Sequence, residues 1–279
     1  MKNNNKKRSF ATIGTIFVVL IAILVYTWYS GTFKLHVEET VIKSKKISQE
    51  MTILQLSDLH GAFFGNGNKD LIEEIDKINP NFIFITGDAF TNESEDGRRT
   101  ALGLMKTLEA KYYTCYVTGE HDNDTLFHAE LVDAGVRVLH YNSVDFKQGD
   151  DLYRIYGINN VYYSDTFDLS NEFTLDKNCY NILLAHSCNP EAFKKFGADL
   201  TLCGDTHGGQ IRLPFVGAVR YEGQWFPEIN SDTDQYIKGH YKLGKNHLYI
   251  SPGLGNYPYP IRINNPPELS VIKLVPKEK

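Results

Sequence analysis

Five apolar runs, each closed by a short polar motif rich in Asp, Glu and His, constrain what this chain can fold into more than any other feature. The runs are Ile53-Leu54-Gln55-Leu56, Phe82-Ile83-Phe84-Ile85, Cys115-Tyr116-Val117, Ile182-Leu183-Leu184 and Leu200-Thr201-Leu202-Cys203. The motifs are Asp58-Leu59-His60, Gly87-Asp88, Gly119-Glu120-His121-Asp122, His186 and Gly204-Asp205-Thr206-His207. Continuous apolar runs this short read as strands covered on both faces. Helical spacing between the early runs, at Leu71, Ile72, Ile75 and Ile78 and then at Leu102, Met105 and Leu108, argues for βαβ units and a parallel sheet. Open sheets of this kind place ligands in the crevice at the carboxyl ends of their strands, so the motifs should converge there. Taken singly, Asp58 or Asp88 reads first as a helix N-cap after a strand. As a set, carboxylates and imidazoles without cysteine suit divalent Mn, Fe or Zn.

After Leu131 the pattern changes to strand-like pieces at 136–139, 143–147 and 153–158. These predict a second sheet packed on the first, with helices outside both. Residues 212–231, including Trp225-Phe226-Pro227, are rich in Gly, Pro and aromatics and read as a loop excursion. The Tyr257-Pro258-Tyr259-Pro260 stretch reads the same way. Aromatics in both segments would either contact a substrate or membrane, or cover the second sheet.

Residues 10–29 carry no charge, and about 20 apolar residues cross a bilayer. Lys2, Lys6, Lys7 and Arg8 precede them, which favours the amino terminus inside and the rest outside. Lys34, Lys43, Lys45 and Lys46 on the other side weaken that bias. The expected order is a cytoplasmic tail at 1–9, an uncleaved anchor at 10–29, a linker at 30–50 and a catalytic domain at 51–279. A cleaved signal peptide is the alternative, but it calls for a shorter apolar core and a small-residue cleavage site. Cys115, Cys179, Cys188 and Cys203 show no CxxC spacing, and two lie in expected core strands, so free thiols are expected. The net charge of −5, without a basic stripe in the domain, speaks against nucleic-acid binding.

In their order, the motifs resemble those of the calcineurin-like metallophosphoesterases. Gly208-Gly209-Gln210-Ile211-Arg212-Leu213-Pro214, Gly253-Leu254-Gly255-Asn256 and Pro260-Ile261-Arg262 resemble the membrane-associated bacterial branch related to YkuE. The resemblance implies a four-layer α/β/β/α sandwich behind the N-terminal transmembrane helix. It also implies two divalent ions (Mn, Fe, Zn or Mg), with activated hydroxide attacking phosphorus. Asp58, His60 and His207 would hold the first ion, Asp88 would bridge, and His186, Glu120 and Asp205 would complete the second. His121 would serve the leaving group with Asp122 orienting it, and Arg212 and Arg262 are candidate phosphate contacts, or else surface ion pairs. The implied substrate is a phosphorylated small molecule, lipid or cell-envelope polymer, met by a monomer on the outer face of the cell membrane.

Glu120 and Asp205 depart from the family, which usually has Asn and His at these places. Two divalent ions against two carboxylates leave a charge of +2, whereas Asp58, Asp88, Glu120 and Asp205 together leave none. A neutral site attracts phosphate less and acidifies water less. The second site is therefore expected to take a harder ion, to bind weakly, or to belong to a catalytically weak module that docks envelope ligands.

Overall fold

The structure, a computed structural model, describes residues 2–92, 94–159, 163–164, 166–215, 217–221, 224–225 and 236–277. Helix α1 (Lys2–Phe33) leads into β1 (His36–Ser44), β2 (Met51–Leu56), α2 (Lys69–Ile78), β3 (Phe82–Thr86), α3 (Glu95–Glu109), β4 (Tyr113–Val117), α4 (Thr125–Asp133) and β5 (Arg137–Val138). The second half holds β6 (Asn142–Gln148), β7 (Asp151–Gly157), β8 (Tyr180–Leu184), α5 (Pro190–Phe196) and β9 (Leu200–Cys203). Two small hairpins follow, β10 (Arg212–Leu213) with β11 (Gly217–Ala218) and β12 (Arg220–Tyr221) with β13 (Gln224–Trp225). The last strands are β14 (Gly239–Leu243), β15 (Asn246–Ile250) and β16 (Glu268–Pro276).

Among the described residues the long strands form two six-stranded sheets, β1-β16-β2-β3-β4-β5 and β14-β15-β9-β8-β7-β6. Side chains alternate across each strand, which explains why the runs read as apolar throughout. Ile53, Phe82, Phe84 and Val117 meet Tyr153, Ile155, Ile182 and Leu202 between the two sheets. Their neighbours Leu54, Leu56, Ile83 and Ile85 pack outward on Leu71, Leu104, Met105 and Phe127 of α2, α3 and α4. On the far side Leu183, Cys203 and Ile250 pack on Phe193 and Phe196 of α5. The layers are thus α/β/β/α, as expected. All four cysteines are free, three of them buried.

The amino-terminal boundaries differ from expectation. Helix α1 runs on to Phe33, and its stretch long and apolar enough to cross a membrane is Thr12–Phe33. The segment expected as a linker, 30–50, contains β1, which pairs in parallel with β16 over its whole length. The lysines and glutamates of β1 hid it: as an edge strand it exposes most side chains and buries Ile42. Trp225-Phe226-Pro227 lies outside the residues whose side chains are described.

Neither Asp58 nor Asp88 caps a helix; those positions fall to Ser94 for α3, Asp124 for α4 and Asn189 for α5. Asp124 accepts from the backbone of Leu126 and Phe127 at 2.8 and 3.0 Å. Arg98 pairs with both Asp124 and Glu130, tying α3 to α4. Asp124→Ala is expected to cost about 1 kcal/mol, read as a lower urea midpoint. These backbone bonds hold the Asp124 carboxyl below its ordinary value. Its contribution is therefore complete above pH about 4 and lost as pH falls through the folded value, so the difference between the variant and the parent should shrink in acid.

Candidate metal centre

The carboxyl ends of β2, β3, β4, β8 and β9 bring the five motifs to one crevice. The backbone there is unusual. Asp58, His60, Asp88, Asp205 and His207 have φ of 50°, 46°, 53°, 71° and 50°, in the left-handed region that non-glycine residues seldom enter. Such conformations cost on the order of 1–3 kcal/mol each and persist only where the surroundings enforce them. Here loop-to-loop bonds do so: Asp58 N donates to Gly87 O at 3.0 Å, His60 N to Asp88 O at 2.9 Å, and Gly255 N to Asp58 O at 2.7 Å. Gly119 is required because a Cβ would overlap the carboxylate of Asp88.

Two groups of donor atoms result, Asp58 with His60 and His207, and Asp58 with Asp88 and His186. His60 Nε2 faces His207 Nε2 at 3.2 Å and Asp88 Oδ2 at 3.6 Å. His207 Nε2 lies 3.8 Å from Asp58 Oδ1, and His186 Nε2 lies 3.3 Å from Asp88 Oδ2. The Nδ1 of His186 sits 2.8 Å from Thr86 O; a carbonyl only accepts, so Nδ1 carries the hydrogen and Nε2 points inward. Yet Nε2, buried and close to Asp88, makes no hydrogen bond, and neither does His207 Nδ1. Buried polar atoms without partners cost free energy. For His186 Nε2, a cation among these oxygens and nitrogens would supply the partner, so the donor set fits a metal.

Burial and mutual charge shift these groups in different directions. Burial pushes the Asp58 carboxyl up to about 7, against the pull of His186. Burial also works against the charge of Asp88, but His186 and His60 hold its carboxyl below the usual range. Burial opposes protonation of His186, yet Asp88, Asp58 and Asp205 hold its imidazole well above its ordinary value. Burial takes His60 down to about 4 and His207 well below its normal range, leaving two neutral imidazoles as donors. Gly119→Ala is expected to displace Asp88 and lower metal content at least tenfold, the upper range for disturbing ligand support being about 100-fold, measured by elemental analysis of folded protein.

The other expected site residues divide. Asp205 stands at the rim, its Oδ1 3.9 Å from His186 Nε2 and its N donating to the Asp58 carboxylate at 3.1 and 3.2 Å. Glu120 belongs to neither donor group; its Oε1 lies 3.2 Å from His121 Nε2. Its exposed side chain can reach His121 more easily than the buried ligands. Asp122 does not orient His121. Its buried carboxylate accepts from Ala89 N and Gly119 N, both at 2.7 Å, and so joins the Asp88 and Gly119 loops. The ring of His121 instead lies against Tyr257 at 4.3 Å, and its backbone N donates to Asp88 Oδ1 at 2.9 Å. Arg212 is half-buried and donates to Gly208 O at 3.0 Å. Arg262 is neither a phosphate contact nor a surface ion pair. Its guanidinium is fully buried and donates to the carbonyls of Gly255, Pro252 and Asn265.

Several supporting residues carried no distinct signal in the sequence. Thr86 fixes His186 through its carbonyl, Thr91 Oγ1 meets His60 Nδ1 at 3.3 Å, and Asn265 donates to His207 O at 2.7 Å. Tyr257 stacks on His60 with ring centroids 4.9 Å apart; only its place in an aromatic, proline-rich stretch pointed to it.

The model of the calcineurin-like phosphoesterase family matches residues 51–209. The chain is 28% identical to the uncharacterized metallophosphoesterase YkuE of Bacillus subtilis, over 89% of this chain and 88% of that one. It is 26% identical to the phosphodiesterase YaeI of Escherichia coli, covering 80% and 82% of the two chains. A transmembrane protein with a metallophosphoesterase domain from Bos taurus is also 26% identical, over 85% of this chain and 56% of its own length.

Proposed function

This chain belongs to the calcineurin-like phosphoesterases, and from that premise we propose that it is a dinuclear phosphodiesterase or pyrophosphatase held at the outer face of the membrane by α1. A phosphoester hydrolase is what the family supplies; the metal count, the orientation and the roles below are our reading. The observation that carries it is the convergence of the donors Asp58, His60, Asp88, His186 and His207, all but His186 on left-handed backbone, with the inward Nε2 of His186 lacking a hydrogen bond.

Asp58, His60 and His207 would hold one divalent ion, Asp88 would bridge, and His186 with Asp205 would hold the other. Such ions, when bound, make water a stronger nucleophile and neutralise phosphate oxygens. The protein's own residues do the rest. The imidazole of His121, beside the crevice, delivers a proton to the departing oxygen, and Glu120 holds that ring in place. Arg212, with donors beyond the one given to Gly208 O, would meet a phosphate oxygen, as guanidinium forks match phosphate. The 22 residues of Thr12–Phe33 rise about 33 Å as a helix, enough for a hydrocarbon core of about 30 Å.

Asp205 adds a carboxylate to the second half of the site, which favours Mn, Mg or iron there over softer ions. The test is hydrolysis of bis-p-nitrophenyl phosphate by purified protein supplied with each metal in turn. Asp205→His is expected to raise turnover with Zn severalfold relative to Mn. An unchanged metal preference would remove the charge argument. No turnover with any metal, together with bound metal, would favour the second reading, a binding module, for which the extra acid at position 205 is the specific motive.

A further inference from the structure

In an anchored enzyme the direction in which the crevice faces decides which substrates reach it, and here that direction is fixed. β1 runs parallel to β16, with His36 opposite Glu268, whereas β16 runs antiparallel to β2, with Ser270 opposite Gln55. The chain therefore leaves α1 beside the carboxyl end of β2, the end that carries Asp58 and His60. Had β1 paired the other way, the helix would end at the opposite edge, beside Pro276.

The helix end is also locked in place. Trp28 Nε1 donates to Pro260 O at 3.2 Å, and Arg262 N donates to Thr32 Oγ1 at 3.2 Å. Gly31 packs so closely on the carbonyl of Arg262 that a Cβ would overlap it. The loop so gripped is the one that serves the metal centre. Tyr257 lies against His60 and His121, and Gly255 N donates to Asp58 O. Tyr257 and Arg262 stand five positions apart in the chain, a span of at most about 18 Å. Between them Tyr259 and Ile261 expose apolar side chains, as does Phe63, three residues beyond His60. Aromatic side chains at such a place suit the membrane–water interface.

We propose that the crevice opens onto the bilayer surface and that the substrate is a phosphoester in the headgroup of a membrane lipid. This rests on the hydrolase and anchor readings above and adds the substrate class to them. A domain on a flexible linker would sample all directions; the clamp at Trp28, Gly31 and Thr32 leaves one.

Two measurements test it with the full chain, loaded with Mn2+ and reconstituted in phosphatidylcholine vesicles. The first compares phosphatidyl-p-nitrophenol in the bilayer with soluble bis-p-nitrophenyl phosphate. Confinement of enzyme and substrate to one surface should favour the lipid diester in kcat/KM by on the order of 100-fold. Cleavage of the soluble diester without preference for the lipid would overturn the proposal and leave the hydrolase reading standing; cleavage of neither would remove both. The second keeps Trp28, adds one tryptophan at Tyr259→Trp or at Leu152→Trp to a chain with Trp225→Phe, and measures quenching by brominated lipid beyond that of the Trp225→Phe chain alone. Leu152 lies at the amino end of β7, away from the crevice. Quenching at position 259 and not at 152 is expected; equal quenching, or none at 259, would overturn the orientation.

Discussion

Asp88→Asn is expected to abolish hydrolysis, with a loss on the order of 10³-fold or more in kcat/KM, equivalent to about 4 kcal/mol of transition-state stabilisation. Asp88 accepts from His121 N and faces both His60 and His186, so it links the two halves of the donor set to the leaving-group imidazole. Asparagine keeps the size and can still accept from His121 N, so the loop should survive. The charge is what goes, and with it the counterweight to a cation. The second readout is thermal. A metal at one hundred times its Kd adds about 2.7 kcal/mol to the folded state, so the parent should melt several degrees higher with Mn2+ than without. The Asp88→Asn chain should melt at one temperature in both. A variant that keeps its metal-dependent shift would show that Asp88 is not a ligand.

The second large effect is expected at Arg262, far from the surface. Burial draws its guanidinium down to about 10, with Asp58 and Glu268 opposing that, so it is charged at neutral pH. Arg262→Met fills the space but leaves the carbonyls of Gly255 and Pro252 without these donors. Each orphaned buried group costs about 1–3 kcal/mol, and the total should be roughly 3–5 kcal/mol, read as a lower urea midpoint with unchanged slope. Arg262→Lys should recover only part of this, because one ammonium cannot span carbonyls that a planar fork reaches together. Full recovery by lysine would mean that charge alone matters there.

These two residues mark what sequence could and could not reveal. Asp88 was legible because it stands at the end of an apolar run, in register with four similar motifs, and strand ends of a parallel sheet share one crevice. The four layers were legible for a related reason: strands covered on both faces admit no polar alternation. Arg262 was misread because a guanidinium suited to phosphate is equally suited to backbone carbonyls, and only the fold decides which it meets. Asp122 was misread as a partner of His121 because adjacency in sequence does not fix side-chain direction; it turns to Ala89 and Gly119. Strand β1 was missed because an edge strand that exposes Lys43 and Glu38 resembles a polar linker. Its parallel register with β16 nevertheless sets which way the crevice faces.

The central claim, that the five converging motifs form a centre for two divalent ions, is tested most directly by elemental analysis of the purified chain. The account predicts close to two equivalents of Mn, Mg or iron per chain, falling below one in Asp88→Asn while the protein stays folded. A parent chain that binds no metal even when each ion is supplied in excess would contradict it.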